Sequence, residues 1–177
     1  SSAASDVYKR QIATQAEDLI AGGVKELIHV GYAGGLQPEL VPGEIILTDG
    51  AFNDTAVARL YGYDYDIIHS SKDLTNEIEE MITSAEILYK RGFHWTTDAG
   101  YRETWGQVMD YRDKGALCVE MEGVGLFTIA NYRKCVATGI YVVSDVYLED
   151  DWKLGWEGND IKKAVGEIID MIIKSIR

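Results

Sequence analysis

Residues 137–145 read ATGIYVVSD, an apolar, β-branched run that ends in a serine and an aspartate. Such a run is typical of a central strand that is buried on both faces of a parallel sheet. Shorter apolar runs at residues 27–30 and 116–121 predict further strands, and helical patterns separate them. Strands that alternate with helices favour an α/β fold in which helices cover both faces of a largely parallel sheet.

The remaining predicted elements follow from spacing and turn residues. Predicted helices are residues 12–21, 73–89, 122–132 and 161–176, and further predicted strands are residues 44–48 and 92–97. Asp73 is the predicted N-cap of the second helix. Residues 51–71 are rich in tyrosine and are predicted to be irregular.

Composition excludes several classes of protein. The chain has 177 residues, 46% of them hydrophobic, and a formal net charge of −12, which suits one acidic globular domain with no bulk attraction for nucleic acid or anionic membranes. No stretch approaches the roughly 20 apolar residues of a membrane helix. Two cysteines and three histidines predict neither a disulfide framework nor a metal cluster, and a reducing cytoplasm is the expected location.

The first eleven residues, SSAASDVYKRQ, do not resemble the rest of the chain. They match the in-frame translation of a sequencing-library adapter, and we interpret residues 1–11 as an adapter-derived artefact. Residues 12–177 then form one partial domain.

Three predicted strands end in segments that can carry chemistry: Gly31-Tyr32-Ala33-Gly34-Gly35, Val119-Glu120-Met121-Glu122 and Val143-Ser144-Asp145. Ligands of α/β sheets bind at the carboxyl ends of strands, so the three segments are expected to face one edge of the sheet. The glycine-rich segment is predicted to be a turn whose backbone can approach a ligand.

Carboxylates mark the other two segments. In a strand, Glu120 and Glu122 would point to the same side, and one carboxylate can accept hydrogen bonds from both hydroxyls of a ribose-like diol. Asp145 ends an apolar strand, which makes it a candidate general acid. The alternatives without a functional role are that Glu120 and Glu122 are solvated at the end of a strand and that Asp145 caps the next segment.

Together these segments resemble the signatures of the nucleoside phosphorylase and nucleosidase superfamily, and the resemblance runs from about residue 23 to the C-terminus. It implies a three-layer α/β/α sandwich around a twisted, mostly parallel mixed sheet. The implied reaction is cleavage of the N-glycosidic bond of a nucleoside, with phosphate or water as the nucleophile.

The resemblance also implies a role for each matching residue. Glu122 and Met121 would hold the ribose, Asp145 would protonate or hydrogen-bond the purine N7, and Ser144 would orient Asp145. The base would be bordered by Gly34, Val119, Glu120 and a stacking Tyr101, and the nucleophile by Gly31, Tyr32 and His29. A purine is favoured, because pyrimidine-specific members lack this aspartate and residues 97–103 lack their Gln-Arg pair.

Departures from the family pattern leave the nucleophile open. His29 stands where phosphorylases carry Arg, and Tyr32 stands where they carry Ser or Thr. Tyr141 stands where nucleosidases of the methylthioadenosine and adenosylhomocysteine type carry Arg. Phosphorolysis with inorganic phosphate as co-substrate and no cofactor is the first hypothesis, hydrolysis is the second, and a non-catalytic nucleoside-binding protein is the third.

The resemblance further implies a homo-oligomer that acts on small molecules rather than on nucleic acid or membranes. It also implies an N-terminal strand and nucleophile-binding loop ahead of residue 12, which this chain does not include. The 177-residue chain is therefore expected to be catalytically inactive and poorly soluble, a prediction that an activity assay of the chain tests.

Overall fold

The computed structural model describes residues 11–148, 152–154 and 158–175, and all but the last residue of the interpreted artefact lies outside these ranges. In this part of the chain the helices are α1 (Ile12–Ala21), α2 (Val57–Leu60), α3 (Lys72–Ser84), α4 (Trp105–Asp113), α5 (Gly123–Arg133) and α6 (Asn159–Ser175). The strands are β1 (Glu26–Gly35), β2 (Ile45–Asp54), β3 (Ile67–His69), β4 (Tyr89–Thr97), β5 (Cys118–Glu120), β6 (Val136–Tyr147) and β7 (Trp152–Leu154).

The strands form one mixed sheet in the order β3-β2-β4-β5-β1-β6-β7. Its two longest pairings, β1 with β6 and β2 with β4, are parallel. A further antiparallel pairing of β2 with β6 joins residues 45–47 to residues 140–142. The five strands β2, β4, β5, β1 and β6 therefore close into a ring.

Helices cover this sheet in separate layers, which confirms the predicted α/β sandwich. Helices α1, α2 and α5 pack over β1, β2 and β3 through a cluster that includes Ala16, Ala58, Ile68 and Phe127. Helices α3 and α6 pack on the opposite side through Ile78, Ile82, Ile168 and their neighbours on β2 and β6. A third cluster fills the inside of the ring with Ala33, Ile46, Cys118, Tyr141 and Val143.

The predicted glycine turn is wrong, because β1 continues through Gly35. The glycines serve close packing instead of a turn. A Cβ added at Gly34 would lie 2.9 Å from the Tyr147 ring, and one at Gly35 would lie within 3.1–3.3 Å of atoms of three neighbours. An apolar side chain at these positions would push β6 away from β1.

The second predicted helix also differs from the structure. Helix α3 begins after Ser71 and ends at Ser84, so Asp73 lies in its first turn and is not the N-cap. Glu86 has a φ of 56°, a left-handed conformation that ends the helix and leaves Leu88 91% exposed. The chain then enters β4 at Tyr89.

Candidate active site

The three segments singled out in the sequence meet at Gly34. This residue pairs with Val119 of β5 on one side and with Asp145 of β6 on the other. The position of a Cβ at Gly34 would lie 3.4 Å from both Asp145 Oδ2 and Val119 Cγ1. A glycine is required here because three strands and their side chains converge on one point.

The sequence predicted that the three segments face one edge of a parallel sheet. They meet instead within a mixed sheet. Strand β1 runs antiparallel to β5, and the register between β1 and β6 shifts between Ala33 and Gly34. This irregularity lets β1 pair with β6 along most of its length and reach β5 only at its end. The site therefore lies at the end of β1, where this strand pairs with β6 on one side and with β5 on the other.

The two oxygens of the Asp145 carboxyl group have different surroundings. The Ser144 hydroxyl donates to Asp145 Oδ1 and also lies 3.2 Å from the carbonyl oxygen of Ala33. If Asp145 Oδ1 carries a proton, its O–H group can donate a hydrogen bond to the Ser144 hydroxyl. The hydroxyl then donates to the carbonyl oxygen of Ala33 instead. Ser144 can thus support both protonation states, while Oδ2 lies on the side of Gly34, which the Tyr147 ring covers.

Glu122 and Met121 form the two-residue link between β5 and α5. Strand β5 ends at Glu120, so the expectation that Glu120 and Glu122 share one face of a strand is wrong. Glu122 precedes the first residue of α5, and both it and Met121 are partly buried. The two carboxylates therefore occupy different environments.

Glu120 is engaged with the protein itself. Its side chain is 1% exposed, and its Oε2 accepts hydrogen bonds from the backbone N–H groups of Glu122 at 2.7 Å and Gly123 at 2.8 Å. Its Oε1 accepts from the Thr96 hydroxyl and lies 3.0 Å from His94 Nε2. Nothing in these contacts turns the carboxylate towards a base, the role that the resemblance implied.

His94 is a buried partner that sequence reasoning did not single out. Its Nδ1 lies 2.6 Å from the Thr48 hydroxyl, which itself donates to the carbonyl of Gly50 at 2.8 Å. Both ring nitrogens of His94 are therefore held by neighbouring groups, and Nε2 lies against the buried Glu120 carboxylate.

The neighbours of Glu120 also determine its electrostatics. Burial raises the pKa of Glu120, but the charge of His94 and hydrogen bonds from His94 and Thr96 outweigh burial and lower it to about 2. Burial, followed by the Glu120 charge, raises the pKa of the Tyr141 phenol. One negative charge is thus held at Glu120 inside the ring.

Among the residues expected to border the nucleophile, His29 contacts Tyr141. His29 Nδ1 lies 3.5 Å from the Tyr141 hydroxyl, and the two rings meet edge to face at 5.5 Å between centroids. Burial lowers the pKa of His29, the Glu120 charge opposes this, and His94 adds to it, so His29 is neutral near pH 7. Tyr32 is 49% exposed, and a Cβ at Gly31 would lie 3.1 Å from the His29 ring.

The loop before α4 borders Met121. A Cβ at Gly100 would lie 3.6 Å from Met121 Sδ and 3.5 Å from Glu103 Oε1. The other oxygen of Glu103 accepts from the Tyr147 hydroxyl, whose ring covers Gly34. Tyr101 in this loop is 82% exposed, so its ring does not stack within the site in this conformation.

Helix α4 ties the ends of two strands together. It begins with a capping box between Thr104 and Gln107, a sequence signal that marks the start of a helix. Arg112 donates to the carbonyl oxygens of Leu36 and of Tyr147, the latter at 2.8 Å. These contacts hold the ends of β1 and β6 beside the meeting point at Gly34.

Other features of the described residues do not involve this site. A groove of about 1140 Å³ lies between α3 and α6, beside the starts of β2 and β4, and no residue proposed for the site lines it. Within the described ranges, no three histidine, cysteine or acidic side chains are grouped to hold a metal ion. The described helices include none that is long and apolar enough to cross a membrane.

Comparison with known proteins defines the class. The family model described as the phosphorylase superfamily matches residues 8–174. The chain belongs to the phosphorylase superfamily.

Two curated relatives have the same name. The chain is 34% identical over 125 residues to a DeoD-type purine nucleoside phosphorylase of Exiguobacterium sibiricum, covering 70% of this chain and 53% of that protein. It is 32% identical over 124 residues to the protein of the same name from Bacillus cytotoxicus, covering 70% and 53%. The chain therefore spans about half the length of the curated relatives it matches.

A solved structure shares the fold. It is described as the P. knowlesi homologue of P. falciparum PNP, and it superimposes with a TM-score of 0.78 over 92% of this chain and 65% of that chain. Sequence identity in this comparison is 22%, so the match speaks for the fold alone.

Proposed function

We propose that the whole protein cleaves the N-glycosidic bond of a purine nucleoside with inorganic phosphate and releases the free base and a pentose 1-phosphate. The observation that carries the proposal is the meeting of β1, β5 and β6 at Gly34, which gathers Asp145, Val119 and the link to Glu122 in one place. Membership of the phosphorylase superfamily and similarity to DeoD-type purine nucleoside phosphorylases support this choice.

In the proposed reaction, Asp145 acts as the general acid at the base. Departure of a purine leaves negative charge on its ring, and a proton or strong hydrogen bond at N7 stabilises that charge in the transition state. The base would lie beside Val119 and Asp145 Oδ2, next to the Tyr147 ring that covers Gly34.

The ribose would lie against the link between β5 and α5. The Glu122 carboxylate would accept hydrogen bonds from the 2′- and 3′-hydroxyls, and Met121 would pack against the apolar face of the sugar. Both residues are partly buried, and Met121 lies beside the loop that includes Gly100. Inorganic phosphate is the only co-substrate proposed, and no cofactor has a role.

Release of purine base on the whole protein tests this proposal. With adenosine or inosine as substrate, we expect base release to rise with phosphate concentration and to stop when phosphate is removed. A pentose 1-phosphate should appear in equal amount. Failure to release base from either nucleoside in the presence of phosphate contradicts the proposed function.

Hydrolysis is the second candidate, and the contact of His29 with Tyr141 favours it. A neutral imidazole and a phenol cannot form the bidentate, charged contacts that an arginine offers to phosphate. Water needs no such cation. A rate of base release that is unchanged without phosphate, with free pentose as the product, would establish hydrolysis instead of phosphorolysis.

A further inference from the structure

The first turn of α5 is capped by side chains buried beneath it. The backbone N–H groups of Glu122 and Gly123 donate to Glu120 Oε2, and the N–H of Val124 donates to the Thr96 hydroxyl at 3.2 Å. Helix N-termini leave such groups without partners inside the helix, and capping them fixes where the helix starts. Glu120 and Thr96 therefore set the position of the chain between residues 120 and 124.

His94 holds Glu120 in that position from the opposite side. The imidazole Nε2 lies 3.0 Å from Glu120 Oε1, and its other nitrogen is anchored on Thr48. The ring also packs on the backbone of α5, since a Cβ at Gly123 would lie 2.4 Å from Nε2. Thr96 and Glu120 are register partners of the adjacent strands β4 and β5, so the whole arrangement rests on the sheet.

Met121 and Glu122 form the link between Glu120, at the end of β5, and Gly123, the first residue of α5. One end of this link is joined to Glu120 through the backbone, and the other end is bound to the Glu120 carboxylate through hydrogen bonds. A displacement of Glu120 must therefore move Met121 and Glu122. On the proposed function, these two residues contact the ribose and not the base.

From this geometry we infer that His94 and Glu120 are positioning residues for the sugar half of the site. Glu120 does not line the base pocket but orients Glu122 and Met121 towards the ribose, and His94 keeps Glu120 in place. This inference rests on the proposed function for its ligand. It assigns a role to His94 that neither the sequence motifs nor the family resemblance supplies.

Paired binding measurements separate the sugar half of the site from the base half. The probes are formycin A, whose base is joined to ribose by a carbon–carbon bond that neither phosphate nor water cleaves, and the free base adenine. For Glu120→Ala in the whole protein, we expect formycin A to bind about tenfold more weakly or worse, because a misplaced contact residue loses most of its effect. Adenine affinity should stay within about twofold.

Two further variants keep the test decisive if Glu120→Ala folds poorly. Thr96→Val removes one hydroxyl without changing side-chain size, and we expect a selective loss of about fivefold for formycin A, as for one buried hydrogen bond. Thr75→Val is the matched control, since Thr75 makes a buried hydrogen bond to Thr138 at 2.8 Å far along the chain from α5. It should lower stability without changing the ratio of the two affinities.

Amide hydrogen exchange gives a readout that needs no ligand. In the unmodified protein the N–H groups of Glu122, Gly123 and Val124 should be protected, and Glu120→Ala should expose them while β6 stays protected. Equal loss of formycin A and adenine affinity, or unchanged exchange at these three amides, overturns the positioning role. If the unmodified protein binds neither probe, the proposed function fails, and the exchange result alone then decides whether Glu120 positions the link.

Discussion

The Asp145 carboxyl group is held by Ser144 through Oδ1, and its Oδ2 lies beside Gly34. A general acid at this place should speed departure of the base without contributing much to nucleoside affinity. For Asp145→Asn in the whole protein, we expect kcat to fall about 100-fold or more, with KM nearly unchanged. Steady-state kinetics with a purine nucleoside measure both.

Asp160→Asn is the control, because it removes an exposed carboxylate in the first turn of α6. It should leave both constants unchanged. A protein that binds nucleosides without cleaving them would show no turnover before the substitution and unaltered affinity after it. That result would favour the non-catalytic alternative.

Glu120 makes stability depend on pH in the acid range. Its pKa lies at about 2 in the folded chain and at 4.5 as the ordinary value, so the folded state keeps the carboxylate charged where the unfolded state takes up a proton. The stabilisation is present above pH 4.5 and is lost as pH falls towards 2. Glu120→Gln should reduce the slope of unfolding free energy against pH in this window by up to about 1.4 kcal/mol per pH unit.

Urea unfolding at a series of pH values measures that slope. Glu44→Gln is a suitable control, because Glu44 pairs with Lys90 at 2.7 Å on a partly exposed part of the surface. An unchanged slope in Glu120→Gln would show that the buried carboxylate is not the group that titrates.

Helix α5 starts on a glycine that has no space for a side chain. Alanine normally stabilises a helix relative to glycine, but at Gly123 its Cβ would lie 2.4 Å from His94 and 2.9 Å from the Tyr141 hydroxyl. We expect Gly123→Ala to lower the free energy of unfolding by about 2 kcal/mol or more through overpacking. Gly166→Ala in α6, where nothing lies within 4 Å, should raise it by about 0.5–1 kcal/mol.

Chemical denaturation of the two variants provides the comparison. Stabilisation by both alanines would mean that helix propensity dominates at both sites and that His94 does not press on α5. Destabilisation confined to Gly123→Ala would support the packing of His94 against α5.

Elements with a strong local pattern were predictable from sequence, and those that depend on pairing were not. Strand β6 and helix α1 follow continuous or periodic apolar residues, and α1 has the predicted bounds. Helix α4 buries only Val108, so its sequence contains little periodicity to detect. The glycines of β1 have the sequence pattern of a turn. The sequence alone does not show that the neighbouring strands pack so closely that side chains at these positions would not fit.

The same limit applies to the site. Its three segments were recognisable because each combines a strand with an unusual polar or glycine-rich end. The partnership of His94 with Glu120 was not, since the residues are distant in sequence and meet only through the pairing of β4 with β5. Tyr147 lies over Gly34 for a similar reason, because the register of β1 and β6 places it there.

Closure of the sheet into a ring makes the β1–β6 pair and the β2–β4 pair, the two halves of the ring, depend on each other. Ile140 is fully buried and pairs with Val30 on β1 and with Leu47 on β2, so it lies at the joint between the halves. We expect Ile140→Ala to lower the free energy of unfolding by about 3 kcal/mol while unfolding remains a single transition. Urea denaturation followed by tryptophan fluorescence and by far-ultraviolet circular dichroism measures both properties.

Ile173→Ala is the matched control, because Ile173 is 48% exposed on α6. Its cost should stay below about 1 kcal/mol. Separate transitions in the two signals for Ile140→Ala would show that the halves of the ring fold independently.

The meeting of three strands at Gly34 has a consequence for how such a protein can diversify. The residues gathered there belong to the core as well as to the site, so most substitutions at Gly34, Val119 or Asp145 threaten folding before they alter selectivity. The loop that includes Tyr101 and Arg102 borders Met121 and is largely exposed, so it tolerates exchange at little structural risk. New ligand preferences in this architecture should therefore arise through that loop, while the strand ends stay constant.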